Sequence, residues 1–93
     1  MNISYTSKDL KLTDGLRTFI TSKLSKFSSR GLSQIQVILH IDRRKKGDAQ
    51  DAVVELITDK NGKALTVKEQ SDTFYKAFFG AISKMKNRLS KER

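Results

Sequence analysis

The sequence predicts an α+β fold, a β-α-β-β-β-α two-layer sandwich in which a four-stranded sheet carries both helices on one face. Three observations predict it. Two segments repeat apolar residues at helical spacing, four alternate apolar with polar residues, and 93 residues leave room for one core only. A parallel connection from the first strand to the second would lay helix one on a sheet face. The second amphipathic helix needs the same apolar face, so two layers follow.

The elements come in order along the chain. From Asn2 to Ser7, Ile3 and Tyr5 alternate with polar residues, the pattern of a short half-buried strand. Thr13 is placed to cap a helix with Asp14 in its first turn, and Leu16, Ile20, Leu24 and Phe27 fall within about 80° of arc on its wheel. Arg30-Gly31 supplies a basic last turn and a residue tolerant of left-handed backbone, so the helix is expected to stop there. Ile35, Val37, Leu39 and Ile41 then alternate with Gln34, Gln36, His40 and Asp42, a strand with one covered face that Ile38 mildly breaks. After the charged loop Arg43 to Asp48, Ala52, Val54 and Leu56 mark the same face of a hairpin partner. Asn61-Gly62 predicts a tight turn into a shorter strand bearing Leu65 and Val67, completing a three-stranded antiparallel meander. Following the candidate caps Ser71 and Asp72, Phe74, Phe78, Ile82, Met85 and Leu89 again share about 80° of arc, on a helix of roughly twenty residues.

Charge bears more directly on function. Nineteen Lys and Arg against ten Asp and Glu give a net charge of +9, a repulsion that an anionic partner relieves. Its distribution is uneven: Thr13 to Arg30 carries +3 and Ser71 to Arg93 carries +4, while Ser33 to Gln70 carries only +1. On the second helix Lys76, Lys84, Arg88 and Lys91 fill a roughly 120° sector opposite the apolar stripe, and on the first Lys23, Lys26 and Arg30 lie within about 60° beside Phe19. One such stripe is commonly a solvated helix back. With both helices on one sheet face, seven cations would share an outer surface, which points to RNA or DNA phosphates, and an aromatic among them can stack on a base. The run Arg43-Arg44-Lys45-Lys46 is locally denser but ranks second, because a loop loses conformational entropy on docking and Asp42 and Asp48 flank it.

Other chemistry finds little support. There is no Cys, which removes disulfides and thiolate chemistry and fits a cytoplasmic home. His40 is the single histidine, with no second His or Cys to complete a metal set, and the carboxylates show no paired spacing for acid-base work. No enzyme activity, metal or cofactor is therefore expected. No apolar run is long enough to span a bilayer, and an amphipathic membrane role competes with the sheet for the same helix faces.

Several segments carry a resemblance to a known family. At the start these are Asn2-Ile3-Ser4, Leu12-Thr13, Leu16-Arg17 and Lys23-Leu24-Ser25-Lys26-Phe27; at the end, Ser71 to Ala77 and Ala81 to Lys91. Their order and spacing resemble the ribosome hibernation promoting factor family, also called ribosome-associated inhibitor or sigma-54 modulation proteins, in its short form. The resemblance covers essentially the whole chain, although each motif alone is weakly specific. Three positions depart from the family pattern: Thr73 replaces an Asp, Phe79 replaces an Asp or Asn, and Arg88 is shifted by one residue.

The resemblance implies a single ribosome-binding domain over residues 1–93 that occupies the mRNA and tRNA channel of the small ribosomal subunit, at the A and P sites, in stationary phase or stress. Translation would be blocked by occupancy, with ribosomal RNA held by Lys23, Lys26, Arg30, Lys76, Lys84, Arg88 and Lys91. The chain's length matches the class that promotes ribosome dimerisation beside a separate ribosome modulation factor, and a free monomer is expected. The alternative is a general structured-RNA or double-stranded-RNA-binding module, because the family fold is similar to the α-β-β-β-α core of that domain.

Overall fold

The computed structural model describes residues 2–8, 10–30, 32, 34–43, 50–60 and 62–91. Seven elements follow one another: β1 (Asn2–Lys8), α1 (Asp14–Leu24), a 3-10 turn (Ser25–Arg30), β2 (Gln34–Arg43), β3 (Gln50–Lys60), β4 (Lys63–Ser71) and α2 (Phe74–Lys91). The expected β-α-β-β-β-α order is therefore the observed one. The sheet runs β1-β2-β3-β4, with β1 parallel to β2 and the remaining pairs antiparallel. A parallel first pair requires a crossover, and α1 supplies it.

Register fixes which residues face the helices. Ile3 pairs with Ile35, Tyr5 with Val37, Val37 with Leu56 and Leu56 with Val67, so these side chains stand on one face. They join Leu16, Ile20 and Leu24 of α1 and Ala77, Phe78, Ala81, Met85 and Leu89 of α2 in one core, with Ile3 and Tyr5 packed at its margin. Both helices thus share one face of the sheet. Full burial of a large side chain such as Phe78 or Ile20 contributes about 1.5–3 kcal/mol. Thr58 also turns inward and satisfies its hydroxyl by donating to Gln34 O at 2.6 Å.

On the other face Ile38 is half-buried beside Glu55, which explains its break in the alternation: it belongs to the uncovered side. Val53 is also on that side, yet buried, paired between His40 and Gln70. Gln70 donates to the Asp51 carboxylate at 2.7 Å, so polar side chains roof this strip. His40 is a half-buried strand residue here, and among the described residues no cluster of His, Cys, Asp and Glu could hold a metal.

The helix ends refine the sequence reading. Thr13 caps α1 as expected, its hydroxyl accepting from Leu16 N at 3.2 Å. The α-helical ladder stops at Leu24, earlier than Arg30, and continues as a 3-10 turn. Ser22 and Ser25 explain the change: their hydroxyls donate to Phe19 O at 2.9 Å and Ser22 O at 2.8 Å, competing with helical N–H groups for carbonyls. Phe27 still reaches the core. Gly31 and the loop residues Arg44 to Asp48 lie outside the described residues. At the next turn Lys60 pairs with Lys63 and Gly62 has φ 81°, the left-handed backbone that glycine adopts without strain.

At α2, neither Ser71 nor Asp72 is the cap. Thr73 takes that role, its hydroxyl accepting from Lys76 N at 3.1 Å and its carbonyl from Ala77 N at 3.0 Å. Asp72 accepts from Ser71 and pairs with Lys76 at 3.4 Å, and these contacts hold its carboxyl below the usual carboxylate range. The sign follows directly: a depressed folded-state pKa adds stability above the unfolded pKa that is lost as pH falls through the folded value. The pair is exposed, so the amount is small. Thr73→Ala is expected to lower stability by about 1 kcal/mol in urea unfolding near neutral pH, and Asp72→Ala to have the smaller effect of the two.

Candidate nucleic-acid interface

α1 and α2 lie side by side and run in the same direction over the sheet. Phe19, midway along α1, meets Tyr75, Phe78 and Phe79 near the start of α2, while Lys23, Lys26 and Phe27 meet Ile82 and Lys86 farther along. The seam is a groove of about 260 Å³ floored by Phe27 and Ile82 and walled by three lysines. Among the described residues the ammonium groups of Lys26 and Lys86 have no hydrogen-bond or ion-pair partner, and Lys23 Nζ lies 5.7 Å from the centroid of the Phe19 ring. This cationic lining with an apolar floor suits a phosphate-bearing chain.

The upper end of the seam is aromatic. Phe19 is partly buried and makes edge-to-face contacts with Tyr75, Phe78 and Phe79 at centroid separations of 4.9, 5.8 and 5.6 Å. Tyr75 and Phe79 remain 47% and 52% exposed.

Lys84 and Arg88 occupy the other flank of α2. Lys84 Nζ donates to Lys68 O at 3.1 Å and pairs with Glu69 at 3.5 Å; Arg88 Nη1 donates to Thr66 O at 2.8 Å. Thr66 and Lys68 belong to β4, an edge strand, and their carbonyls face the free edge. Gly80 makes this packing possible, since a Cβ there would lie 2.6 Å from Glu69 Cγ. A matching arrangement closes the β1 edge. The Arg17 guanidinium sits 5.0 Å from the centroid of the Tyr5 ring, and the Tyr5 hydroxyl is shared with Thr21 Oγ1 and Arg17 O.

Of the seven cations expected on one outer surface, the six whose side chains are described are dispersed. Lys23 and Lys26 line the groove; Lys84 and Arg88 turn toward β4 rather than directly away from the core; Lys76 pairs with Asp72; Lys91 is exposed on the last turn of α2. The side chain of Arg30 lies outside the described residues, as does that of Arg43. Two contributors were missed in the sequence, Lys86 and Tyr75, which lie on the α2 flank next to Ile82. Phe79, at the margin of the apolar arc of α2, where the sequence favours peripheral packing over base stacking, is half exposed. The wheel of α2 brings Tyr75, Phe79, Ile82 and Lys86 onto one flank, a signal that becomes meaningful once the position of α1 is known.

A family model described as sigma 54 modulation protein / S30EA ribosomal protein matches residues 3–93. The chain belongs to this family. Among curated S30EA-family relatives, the ribosome hibernation promoting factor of Escherichia coli K12 is 25% identical over 95 residues, covering 100% of this chain and 94% of that protein. Two solved structures share the fold. A ribosomal subunit interface protein from Coxiella burnetii superposes with a TM-score of 0.85 at 24% identity, covering 98% of this chain and 96% of the other. The N-terminal domain of Thermus thermophilus Protein Y gives 0.83 at 23% identity, covering all of both chains.

Within this S30EA-family domain the two cation groups are separable by stability. Lys84→Ala with Arg88→Ala removes three contacts to β4 and is expected to cost about 1–2 kcal/mol, reduced from the buried-contact value by exposure. Lys26→Ala with Lys86→Ala removes like charges and no partner, so stability is expected to stay level or rise slightly. Urea unfolding of the two double variants checks both.

Proposed function

We propose that this chain is a ribosome hibernation factor that binds the small ribosomal subunit through ribosomal RNA and inhibits translation by occupying the channel used by mRNA and by tRNA at the A and P sites. The observation that carries this reading is the family match over residues 3–93, reinforced by an E. coli relative whose name is ribosome hibernation promoting factor. The physical features support an RNA partner. Net charge is +9, and the seam presents Lys23, Lys26 and Lys86 on a scaffold whose helix backs are packed against a sheet. Cations held this way lose little entropy on meeting phosphates, and irregular ribosomal RNA is read by shape and charge rather than by a sequence code.

The mechanism requires binding alone, with no reaction step. A rigid basic domain seated in the decoding channel competes with the anionic ligands that belong there, so mRNA and tRNA are excluded by volume and by shared phosphate-like contacts. The remaining residues of the proposed rRNA surface are Arg30, Lys76, Lys84, Arg88 and Lys91. Lys84 and Arg88 would have to exchange their β4 carbonyl contacts for phosphate, or hold phosphate while keeping them, which makes them weaker contributors than the groove lysines. The wider physiological reading is action in the cytoplasm during stationary phase or stress, as a free monomer that cooperates with a separate ribosome modulation factor in pairing ribosomes. Among the described residues no helix is long and apolar enough to cross a membrane.

Two measurements test the proposal. With about six phosphate contacts, log affinity for isolated small subunits is expected to fall with log salt at a slope of about −4 to −5; a slope near zero rejects the electrostatic basis. Small subunits already filled with mRNA and tRNA are expected to exclude the protein, and undiminished binding to them would put the site elsewhere.

A further inference from the structure

We propose that Tyr75 and Phe79, held against Phe19 at the upper end of the interhelical groove, form a stacking platform for an unpaired RNA base whose neighbouring phosphates contact Lys23, Lys26 and Lys86. The inference rests on the ribosomal RNA reading above and deepens it, naming the chemical form of RNA that the groove takes.

Exposure is the first argument. Aromatic rings recruited for the core are buried, as Phe78 is, whereas Tyr75 and Phe79 sit one helical turn apart with about half of each exposed. The second argument is order. Each ring rests edge-to-face on Phe19, with interplanar angles of 63° and 76°, so an incoming base meets surfaces already oriented by a partly buried neighbour.

Charge complementarity identifies the occupant. Phe19 touches the platform on one side and Lys23 on the other, and the groove continues through Lys26 to Lys86 without an acidic residue among the described residues that line it. A purely apolar partner would leave those ammonium groups beside it without anions. A duplex would satisfy the lysines but keep its base faces stacked internally, beyond the reach of the rings. A single-stranded or bulged RNA segment supplies both elements, a flat π surface and a chain of phosphates.

The experiment uses the full chain and two probes, a short oligoadenylate and an abasic ribose-phosphate chain of equal length, titrated at low salt. The wild-type protein is expected to bind the oligoadenylate about tenfold more tightly than the abasic chain. Tyr75→Leu with Phe79→Leu, which keeps apolar volume but removes the π faces, is expected to bind the two equally, while Phe79→Tyr keeps the preference. Thermal unfolding of each variant checks that the fold is intact. Equal binding of both chains by the wild type, or a preference retained by the folded leucine variant, overturns the platform. Small subunits provide the separate test of the parent reading. There the leucine variant is expected to lose about tenfold in affinity at an unchanged salt slope, whereas failure of the wild type to bind subunits rejects the ribosomal reading and leaves the platform to be judged by the oligonucleotide pair.

Discussion

Burial on a single face of the sheet is the constraint on which the rest of the structure depends. The described core is built from alternate residues of four strands and one stripe from each helix, so α1 and α2 must share a surface only four strands wide. A sheet of that width, with strands about 4.8 Å apart, accommodates two helices of about 10 Å diameter in contact. The seam between them is a necessary product of core formation. Whatever the flanks of the two helices carry at the contact becomes the lining of a groove, and here they carry lysines and aromatic rings.

The same packing sorts the positive charge into structural and available fractions. A basic residue on the outer flank of either helix overhangs a sheet edge, where unpaired carbonyls offer acceptors. Lys84 and Arg88 use those of Lys68 and Thr66, and Arg17 lies over the Tyr5 ring at the opposite edge. Such side chains help cover edge strands that could otherwise pair with another chain. A basic residue on an inner flank meets the apolar floor of the seam and the other helix's lysines, with no acceptor in reach among the described residues. Among the described residues Lys26 and Lys86 therefore keep their charge uncompensated, the condition that favours an external anion.

Local polar chemistry tunes the ends of the helices without altering this plan. Thr13 and Thr73 cap α1 and α2 through the same hydroxyl-to-N3 contact, and serine hydroxyls tighten the end of α1 into a 3-10 turn that delivers Phe27 to the floor of the groove. Thr73, where the sequence resemblance implies an Asp, serves as a cap in the way an aspartate would, because either side-chain oxygen accepts the free N–H. Phe79 is a different case, since it sets a half-exposed ring against Phe19 at the seam.

The sequence by itself determined the element order, the helix-facing side of each strand, the Thr13 cap and the Gly62 turn, because period-two and period-3.6 patterns and capping chemistry are local properties of the chain. It also located most of the positive charge in the helices. What it could not supply was the side of α2 on which α1 lies. A helical wheel assigns Lys84 and Lys86 to opposite flanks but is silent about the neighbours of each flank, so of the cations read as one surface Lys84 and Arg88 reach an edge strand while Lys23 and Lys26 line a groove, and Lys86 of that groove was not among them. The partnership of Phe19 with Tyr75 and Phe79 has the same origin, for residues more than fifty positions apart meet only when both helices dock on one sheet face. Tertiary structure decided the site because electrostatic availability depends on which acceptors lie within reach, and that is a property of packing between elements rather than of any one of them.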